Sequence, residues 1–110
     1  SDGTKDTSFN IGTGFNSWVY FISLQPDRKI LVSGNFTTFN GTSQNYLIRL
    51  NSDGTKDTSF NIGTGFNSWI YSILPQPDRK ILVSGNFTTF NGTSQNYLIR
   101  LNSDGTKDSL

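Results

Sequence analysis

The chain of 110 residues contains no cysteine, no histidine and no methionine. The absence of cysteine excludes disulfide bonds, thiolate metal ligands and thiol nucleophiles. The absence of histidine removes the side chain that most often acts as a general acid or base and as a transition-metal ligand. Aspartate supplies all of the carboxylates, and none has a spaced partner resembling the acid pair of a glycosidase. We therefore expect no catalytic residue, no metal site, no cofactor and no enzymatic activity.

Charge of either sign is also scarce. Nine basic residues stand against eight acidic ones, so the net charge is +1, and the two signs are interspersed along the chain. Such a chain lacks the basic field that binds nucleic acid. No apolar run approaches the ~18 residues of a membrane span, and no signal peptide is present. We expect neither nucleic acid nor a membrane as a partner.

Alanine and glutamate are missing too, which removes two of the residues that favour helices. The apolar residues that remain are Phe, Ile, Leu, Tyr, Val and Trp, which are typical of β-strands. The rest of the chain is rich in Gly, Asn, Ser and Thr, which are common in turns. The composition therefore predicts an all-β fold.

The chain is a nearly exact tandem repeat. Residues 1–51 recur as residues 52–102 without insertion or deletion, and residues 103–108 begin a third copy. A fixed period of this size indicates one supersecondary unit that buries its apolar faces against neighbouring copies. The near identity fits both a recently amplified natural protein and an engineered one. The copies differ at four aligned positions, which are Val19/Ile70, Phe21/Ser72, Ser23/Leu74 and Leu24/Pro75.

Each copy carries the signals of four antiparallel strands. The first copy predicts strands at residues 18–24, 29–36, 46–50 and 55–61. A Pro-Asp turn follows the first strand, an Asn-Gly signal lies in the polar connection at 37–45, and Asp-Gly follows the third strand. Four short strands per repeat predict two blades of a β-propeller, each a four-stranded antiparallel sheet. A β-sandwich with two similar halves is the alternative that also uses eight strands.

Three motifs recur in a fixed order: Phe-Asn-Ile-Gly-Thr-Gly-Phe-Asn, Gln-Pro-Asp-Arg-Lys-Ile-Leu-Val and Arg-Leu-Asn-Ser-Asp-Gly-Thr-Lys-Asp-Thr-Ser-Phe. Together they resemble the bacterial delta-60 repeat over essentially the whole chain. The resemblance implies a β-propeller, commonly in bacterial secreted or cell-surface proteins, with no established enzymatic activity for the repeat. This chain has Arg28 and Arg79 where the family usually has a turn glycine, and Ser33 and Ser84 replace a second glycine. If the turn needs a positive φ, these arginines are strained there.

All four differences lie within or just after the first strand of each copy. On a regular strand, alternate residues share one face. A large residue followed by a small one in the first copy, Phe21 and Ser23, is replaced by a small one followed by a large one in the second, Ser72 and Leu74. The summed side-chain volume is roughly kept, and cores tolerate such exchanges best. We interpret the following as one inter-blade packing face: Val19, Phe21 and Ser23, and in the second copy Ile70, Ser72 and Leu74. The opposite face, with Trp18, is interpreted as inter-blade core rather than as a platform for stacking sugars or bases.

Propellers have typically 4–8 blades, so two blades per chain predict a homo-oligomeric ring. Trimers or tetramers with head-to-tail interfaces can close such a ring. We favour the tetramer, because bulky phenylalanine-rich faces suit a wider wedge. The partner of this chain is therefore expected to be further copies of itself.

Both ends of the chain encode the same outer strand. We expect residues 1–9 to complete a neighbouring chain's blade, residues 10–60 to form the first blade and residues 61–102 to form three strands of the second. Residues 103–110 then duplicate part of the outer strand and are expected to fray. The residues expected to close the ring in this way are Thr7, Phe9, Tyr97, Ile99 and Leu101.

The loops sort by charge between the two ends of the blades. Loops at 25–29 and 51–57 carry all the charges of this set, whereas loops at 10–17 and 37–45 carry none. The leading hypothesis is a non-catalytic ring used as a structural scaffold or interaction surface. The alternative is a lectin-like binder of neutral glycans at the uncharged loops, through Asn16, Ser17, Asn40, Asn67, Ser68 and Asn91.

Overall fold

The computed structural model describes residues 2–109, in which all regular structure is β-strand. Ser1 and Leu110 lie outside the described residues. Within the described range, no helix is long and apolar enough to cross a membrane. The strands are β1 Val19–Leu24, β2 Ile30–Gly34, β3 Thr38–Phe39, β4 Thr42–Ser43, β5 Leu47–Leu50, β6 Ile70–Pro75, β7 Ile81–Gly85, β8 Thr89–Phe90, β9 Thr93–Ser94 and β10 Leu98–Leu101.

Blade 1 is the antiparallel sheet β1-β2-β5. The Pro-Asp turn connects β1 to β2, and the Asp27 carboxylate accepts a hydrogen bond from the Lys29 N–H at its exit. The predicted fourth strand at 55–61 shrinks to one bridge between Leu50 and Lys56 and one hydrogen bond from the Asp57 N–H to the Arg49 carbonyl. It ends there because Asp57 then accepts from the backbone and hydroxyl of Ser59, which turns the chain toward the next blade.

Blade 2 repeats this arrangement with β6, β7 and β10. Its outer edge is covered by the end of the same chain, since Leu101 bridges Lys107 and the Asp108 N–H donates to the Arg100 carbonyl. The expectation that residues 103–110 fray is therefore wrong for the described residues 103–109. Asp104 holds them in place, because its carboxylate accepts from Thr106 and its carbonyl accepts from the Asn61 N–H.

The polar connection at 37–45 is more ordered than the sequence predicts. It folds into the two-stranded hairpin β3-β4, and its counterpart in blade 2 is β8-β9. Asn40 and Gly41 form the turn with φ angles of 49° and 80°, the pair of positive values that Asn-Gly turns favour. Bridges from Phe15 to Phe39 and from Phe66 to Phe90 fix these hairpins to the loops that precede β1 and β6.

A β-bulge interrupts the pairing of the first strand in each blade. Val19 pairs with Gly34 but Phe21 pairs with Ser33, so Tyr20 is the extra residue on β1. Tyr71 is the extra residue on β6. Gly34 makes the bulge possible, because a Cβ at this position would overlap the Trp18 carbonyl. The bulge reverses the alternation of side chains along each first strand.

The expectation that Val19, Phe21 and Ser23 share one face is therefore wrong. We define the front face of a blade as the side of Phe21 and Ser23 in blade 1 and of Ser72 and Leu74 in blade 2. The back face is the side of Val19, Ile22 and Leu24 in blade 1 and of Ile70, Ile73 and Pro75 in blade 2. Cross-strand pairs extend both definitions, since Phe21, Ser33 and Leu47 line up on the front and Ile22, Val32 and Ile48 on the back.

The main core lies between the blades. It joins the front of blade 1, through Leu31 and Leu47, to the back of blade 2, through Ile70, Ile73 and their neighbours on β7 and β10. A second cluster lies behind blade 1, where Val32 and Ile48 pack with Phe36 and Phe39. Burial of these side chains at about 25 cal/mol per Å² of apolar area is the main force that joins the two blades.

Candidate assembly faces

The front face of blade 2 has the residues of a buried surface but lies open. Leu47 on the front of blade 1 is fully buried under blade 2, whereas its exact counterpart Leu98 is 56 % exposed. Tyr46 packs against the core between the blades, whereas its counterpart Tyr97 is also 56 % exposed. Each pair has the same residue type and the same local fold. The difference in exposure therefore arises from the neighbouring blade, which covers the front of blade 1 and is lacking in front of blade 2.

The back face of blade 1 shows the same contrast in reverse. Ile73 on the back of blade 2 is 2 % exposed, whereas its counterpart Ile22 is 64 % exposed. Ile70 is fully buried, whereas its counterpart Val19 is 38 % exposed. The two open faces are thus the front of blade 2 and the back of blade 1. They are the counterparts of the two faces that already pack together between the blades.

Aromatic side chains form a ladder across the two first strands. Trp18 meets Tyr20 with ring centres 6.3 Å apart, Tyr20 meets Trp69 at 5.6 Å, and Trp69 meets Tyr71 at 6.3 Å. Only the middle step crosses from blade to blade. Its counterpart would join Tyr71 to the Trp18 of another copy, and both of these side chains are exposed. Trp18 is therefore open in the single chain, whereas its counterpart Trp69 lies at the contact between the blades.

A buried ion pair lies at the outer side of the contact between the blades. The Arg49 guanidinium donates through Nε to Asp57 over 2.9 Å, through Nη1 to the Ser103 carbonyl over 2.7 Å and through Nη2 to Ser59. Burial raises the pKa of Asp57, but hydrogen bonds from Ser59 and Arg49 and the charge of Arg49 outweigh it and lower this pKa to about 2. The contact to Ser103 is the step in this network that links the strands of blade 1 to blade 2.

Arg100 is the counterpart of Arg49 in blade 2. It pairs with Asp108 over 2.7 Å, yet its side chain is 43 % exposed, against 8 % for Arg49. In blade 1, the ring of Phe60 covers the guanidinium, whereas in the described residues no aromatic ring lies over Arg100 where a counterpart of Phe60 would stand. The nearest sequence equivalent is Phe9, which is 37 % exposed at the other end of the chain.

The ring-closure residues predicted from the sequence fall into two groups. Ile99 and Leu101 are buried in the core between the two blades of the same chain, so they do not lie on an open face. Tyr97, Thr7 and Phe9 are exposed, and residues 2–9 form only local turns around Asp2 and Asp6. Residues 1–9 were expected to cover the outer edge of blade 2. Residues 104–108 of the same chain cover this edge instead. Leu98 was missed, because its exposure depends on which blade is covered, and Ile22 was placed only on the face opposite Val19, because the bulge was not predicted.

The predicted ligand face is present as a group of neighbouring loops, but its amides bind the protein itself. The Asn16 side chain accepts from the N–H groups of Thr37 and Thr38 and donates to the Thr37 hydroxyl. Asn40 accepts from the Thr13 N–H. Asn67 and Asn91 repeat these bonds in blade 2. These side chains brace the loops at 10–17 and 37–45, and the equivalent loops of blade 2, against each other. Ser17 and Ser68, which directly follow Asn16 and Asn67, are half-buried.

The described residues contain no group of three or more carboxylates that could hold a metal ion. A family model described as a β-propeller domain of unknown function matches residues 25–60 and 76–110. No curated protein and no solved structure matches the chain.

Proposed function

The chain belongs to the β-propeller family described as the domain of unknown function DUF5122, and we propose that it is a non-catalytic propeller module that closes into a ring with further copies of itself. In this proposal the ring serves as a structural scaffold or interaction surface. The order of motifs that resembles the delta-60 repeat supports a role in a bacterial secreted or cell-surface protein.

The observation that carries the proposal is the contrast between identical residues in the two blades. Leu47 and Ile73 are buried where the front of blade 1 meets the back of blade 2, while Leu98 and Ile22 are open on the two outer faces. Soluble monomers rarely expose contiguous apolar patches of this kind. The exposed large apolar side chains on these two faces are Val19, Ile22, Leu24, Leu74, Tyr97 and Leu98.

A second copy of the chain is the occupant that fits these faces best. The back of blade 1 has the same strand order, bulge and loop structure as the back of blade 2, which already covers the front of blade 1. The front of blade 2 can therefore receive the back of blade 1 of another chain in the same geometry. Contacts of this kind are head-to-tail, and they end only when the rotation closes a ring.

Ring size follows from the number of blades each chain contributes. Three chains give six blades and four give eight, both within the range of known propellers. We favour the tetramer, because an eight-bladed ring holds the first strands farther from its axis and so leaves room for bulky side chains between them, such as Tyr20 and Trp69.

Native mass spectrometry of the 110-residue chain tests the proposal. We expect one closed species of four chains, without a series of larger open oligomers. Ile22→Glu places a charge on the open back face and should yield monomers, because an unpaired buried charge costs several kcal/mol. Thr42→Glu is the matched control. Thr42 is exposed in β4, in the hairpin at the end of the blade, so this substitution should leave the assembly unchanged. A wild-type chain that stays monomeric at all concentrations contradicts the ring.

A further inference from the structure

We infer that the four positions at which the copies differ form two matched sets, one for the contact within a chain and one for the contact between chains. This inference rests on the proposed ring for the second set only. The contact within the chain is present in the structure and can be tested whether or not the ring forms.

The faces divide the four positions evenly. Positions 21/72 and 23/74 lie on the front face, and positions 19/70 and 24/75 lie on the back face. No difference falls elsewhere in the repeated 51 residues. Every difference between the copies is therefore at a face where one blade meets the next.

The contact within the chain joins the front of blade 1 to the back of blade 2. Phe21 and Ser23 come from the front, and Ile70 and Pro75 come from the back. Phe21 packs against the cluster that contains Ile70. Bulk is thus concentrated at the beginning of the first strands, where Phe21 pairs with Ser33 and Ile70 with Gly85, and Ser23 leaves room near their end.

The contact between chains would join the front of blade 2 to the back of another chain's blade 1. Ser72 and Leu74 come from the front, and Val19 and Leu24 come from the back. Bulk is then concentrated near the end of the first strands, where Leu74 pairs with Leu82 and Leu24 with Ile30. All four side chains are exposed in the single chain, as residues awaiting a partner would be.

Facing positions therefore change together. At the beginning of the strands, the contact within the chain has Phe21 and Ile70, and the contact between chains has Ser72 and Val19. Near the end of the strands, Ser23 and Pro75 correspond to Leu74 and Leu24. Close-packed interfaces lose stability both when a cavity is left and when extra volume is forced in. A front set placed opposite the wrong back set leaves a gap at one end and crowds the other, so each front set should fit only its own back set.

An exchange within the chain tests the first set. Phe21→Ser with Ser23→Leu gives blade 1 the front set of blade 2, and we expect the Tm to fall by about 10 °C. Adding Ile70→Val with Pro75→Leu supplies the matching back set and should restore at least half of that loss. Ile70→Val with Pro75→Leu alone should also lower the Tm. If the four changes together cost the sum of the two pairs, the sets are not matched and the inference fails.

The reciprocal exchange tests the contact between chains. Ser72→Phe with Leu74→Ser should raise the dissociation constant of the ring at least tenfold by native mass spectrometry, and Val19→Ile with Leu24→Pro should recover most of the loss. Equal assembly by the first pair alone, or no recovery by the second, overturns the inference. A monomeric wild-type chain would contradict the proposed ring instead, and the exchange within the chain would still decide whether matched sets exist.

Discussion

The guanidinium carbon of Arg49 lies 4.6 Å from the centre of the Phe60 ring, at the point where the chain passes from blade 1 to blade 2. Phe60 is 3 % exposed and belongs to the core between the blades, so this one contact joins the outer edge of blade 1 to that core. A cation over an aromatic face gains about 0.5–2 kcal/mol, more as it is desolvated. In blade 2, Arg100 is the counterpart of this arginine, and no aromatic ring among the described residues covers it.

The first prediction concerns the aromatic side chain that would cover Arg100. If copies associate head-to-tail, Phe9 of the next chain takes the place of Phe60 over Arg100. Phe9→Ala should therefore weaken assembly about tenfold, measured as the dissociation constant by native mass spectrometry, because it removes apolar area at the contact. The Tm of the single chain should not change, since Phe9 is exposed there.

Deletion of residues 1–7 is the matched control for Phe9→Ala. These residues would compete for an edge of blade 2 that residues 104–108 already cover, so assembly should persist without them. Loss of the ring on this deletion, with no loss for Phe9→Ala, would show that the N-terminal segment closes the ring by strand exchange.

The second prediction concerns acid stability. A carboxyl whose pKa falls on folding stabilises the folded state above its unfolded pKa and loses that effect as the pH drops through its folded pKa. The pKa of Asp57 falls from 3.8 to about 2, so its contribution, on the order of 2 kcal/mol, is present at pH 7 and disappears between about pH 4 and pH 2. Asp57→Asn should lower the free energy of unfolding at pH 7 and flatten its dependence over that interval in urea titrations.

Ser59→Ala separates the causes of this shift. Removal of the Ser59 hydroxyl leaves the ion pair with Arg49 but deletes a 2.6 Å hydrogen bond to the carboxylate. The folded-state pKa of Asp57 should then rise, so the acid loss should be smaller and complete at a higher pH than in the wild-type chain. An unchanged pH profile for both variants would mean that Asp57 does not stabilise the fold in this way.

The third prediction concerns the two turn arginines. Arg28 and Arg79 have φ angles of 71° and 70°, and both side chains are exposed. A left-handed conformation costs a residue with a Cβ about 1 kcal/mol, whereas glycine adopts it freely. Arg28→Gly with Arg79→Gly should raise the Tm by about 5 °C.

Alanine at the same two positions is the control for charge. Arg28→Ala with Arg79→Ala removes both guanidinium groups but keeps the strained backbone, so the Tm should stay within about 2 °C of the wild type. An equal rise for the alanine and glycine pairs would assign the effect to charge instead of to the backbone.

The sequence predicts much of this fold because its turns are explicit. The Pro-Asp turn, the Asn40-Gly41 hairpin and the apolar strands determine where β1, β2 and β5 lie. The faces of β1 could not be predicted by simple alternation, since one extra residue at Tyr20 reverses them. Gly34 within the predicted strand at 29–36 was the available signal, because glycine inside a strand often marks a bulge.

The closing edge of blade 2 could not be chosen from the sequence for a different reason. Residues 1–6 and 103–108 are the same six residues, so propensity and pattern are equal at the two ends. The structure selects the C-terminal copy, which follows β10 directly and therefore pays a small loop-closure entropy. Residues from another chain would have to lose translational freedom to reach the same edge.

The fourth prediction uses the aromatic ladder as a reporter of assembly. Trp18 is 73 % exposed and Trp69, which contacts Tyr20 of the neighbouring blade, is 37 % exposed. In a ring, Trp18 would contact Tyr71 of the next chain and become as buried as Trp69 is now. The Trp69→Phe variant, in which Trp18 is the sole tryptophan, should show an emission maximum that moves to shorter wavelength as the concentration rises through the assembly range. The Trp18→Phe variant reports only Trp69, whose neighbour is already in place, so its emission should not depend on concentration. A shift in both variants would indicate a general change of fold, and a shift in neither would place Trp18 outside the contact between chains.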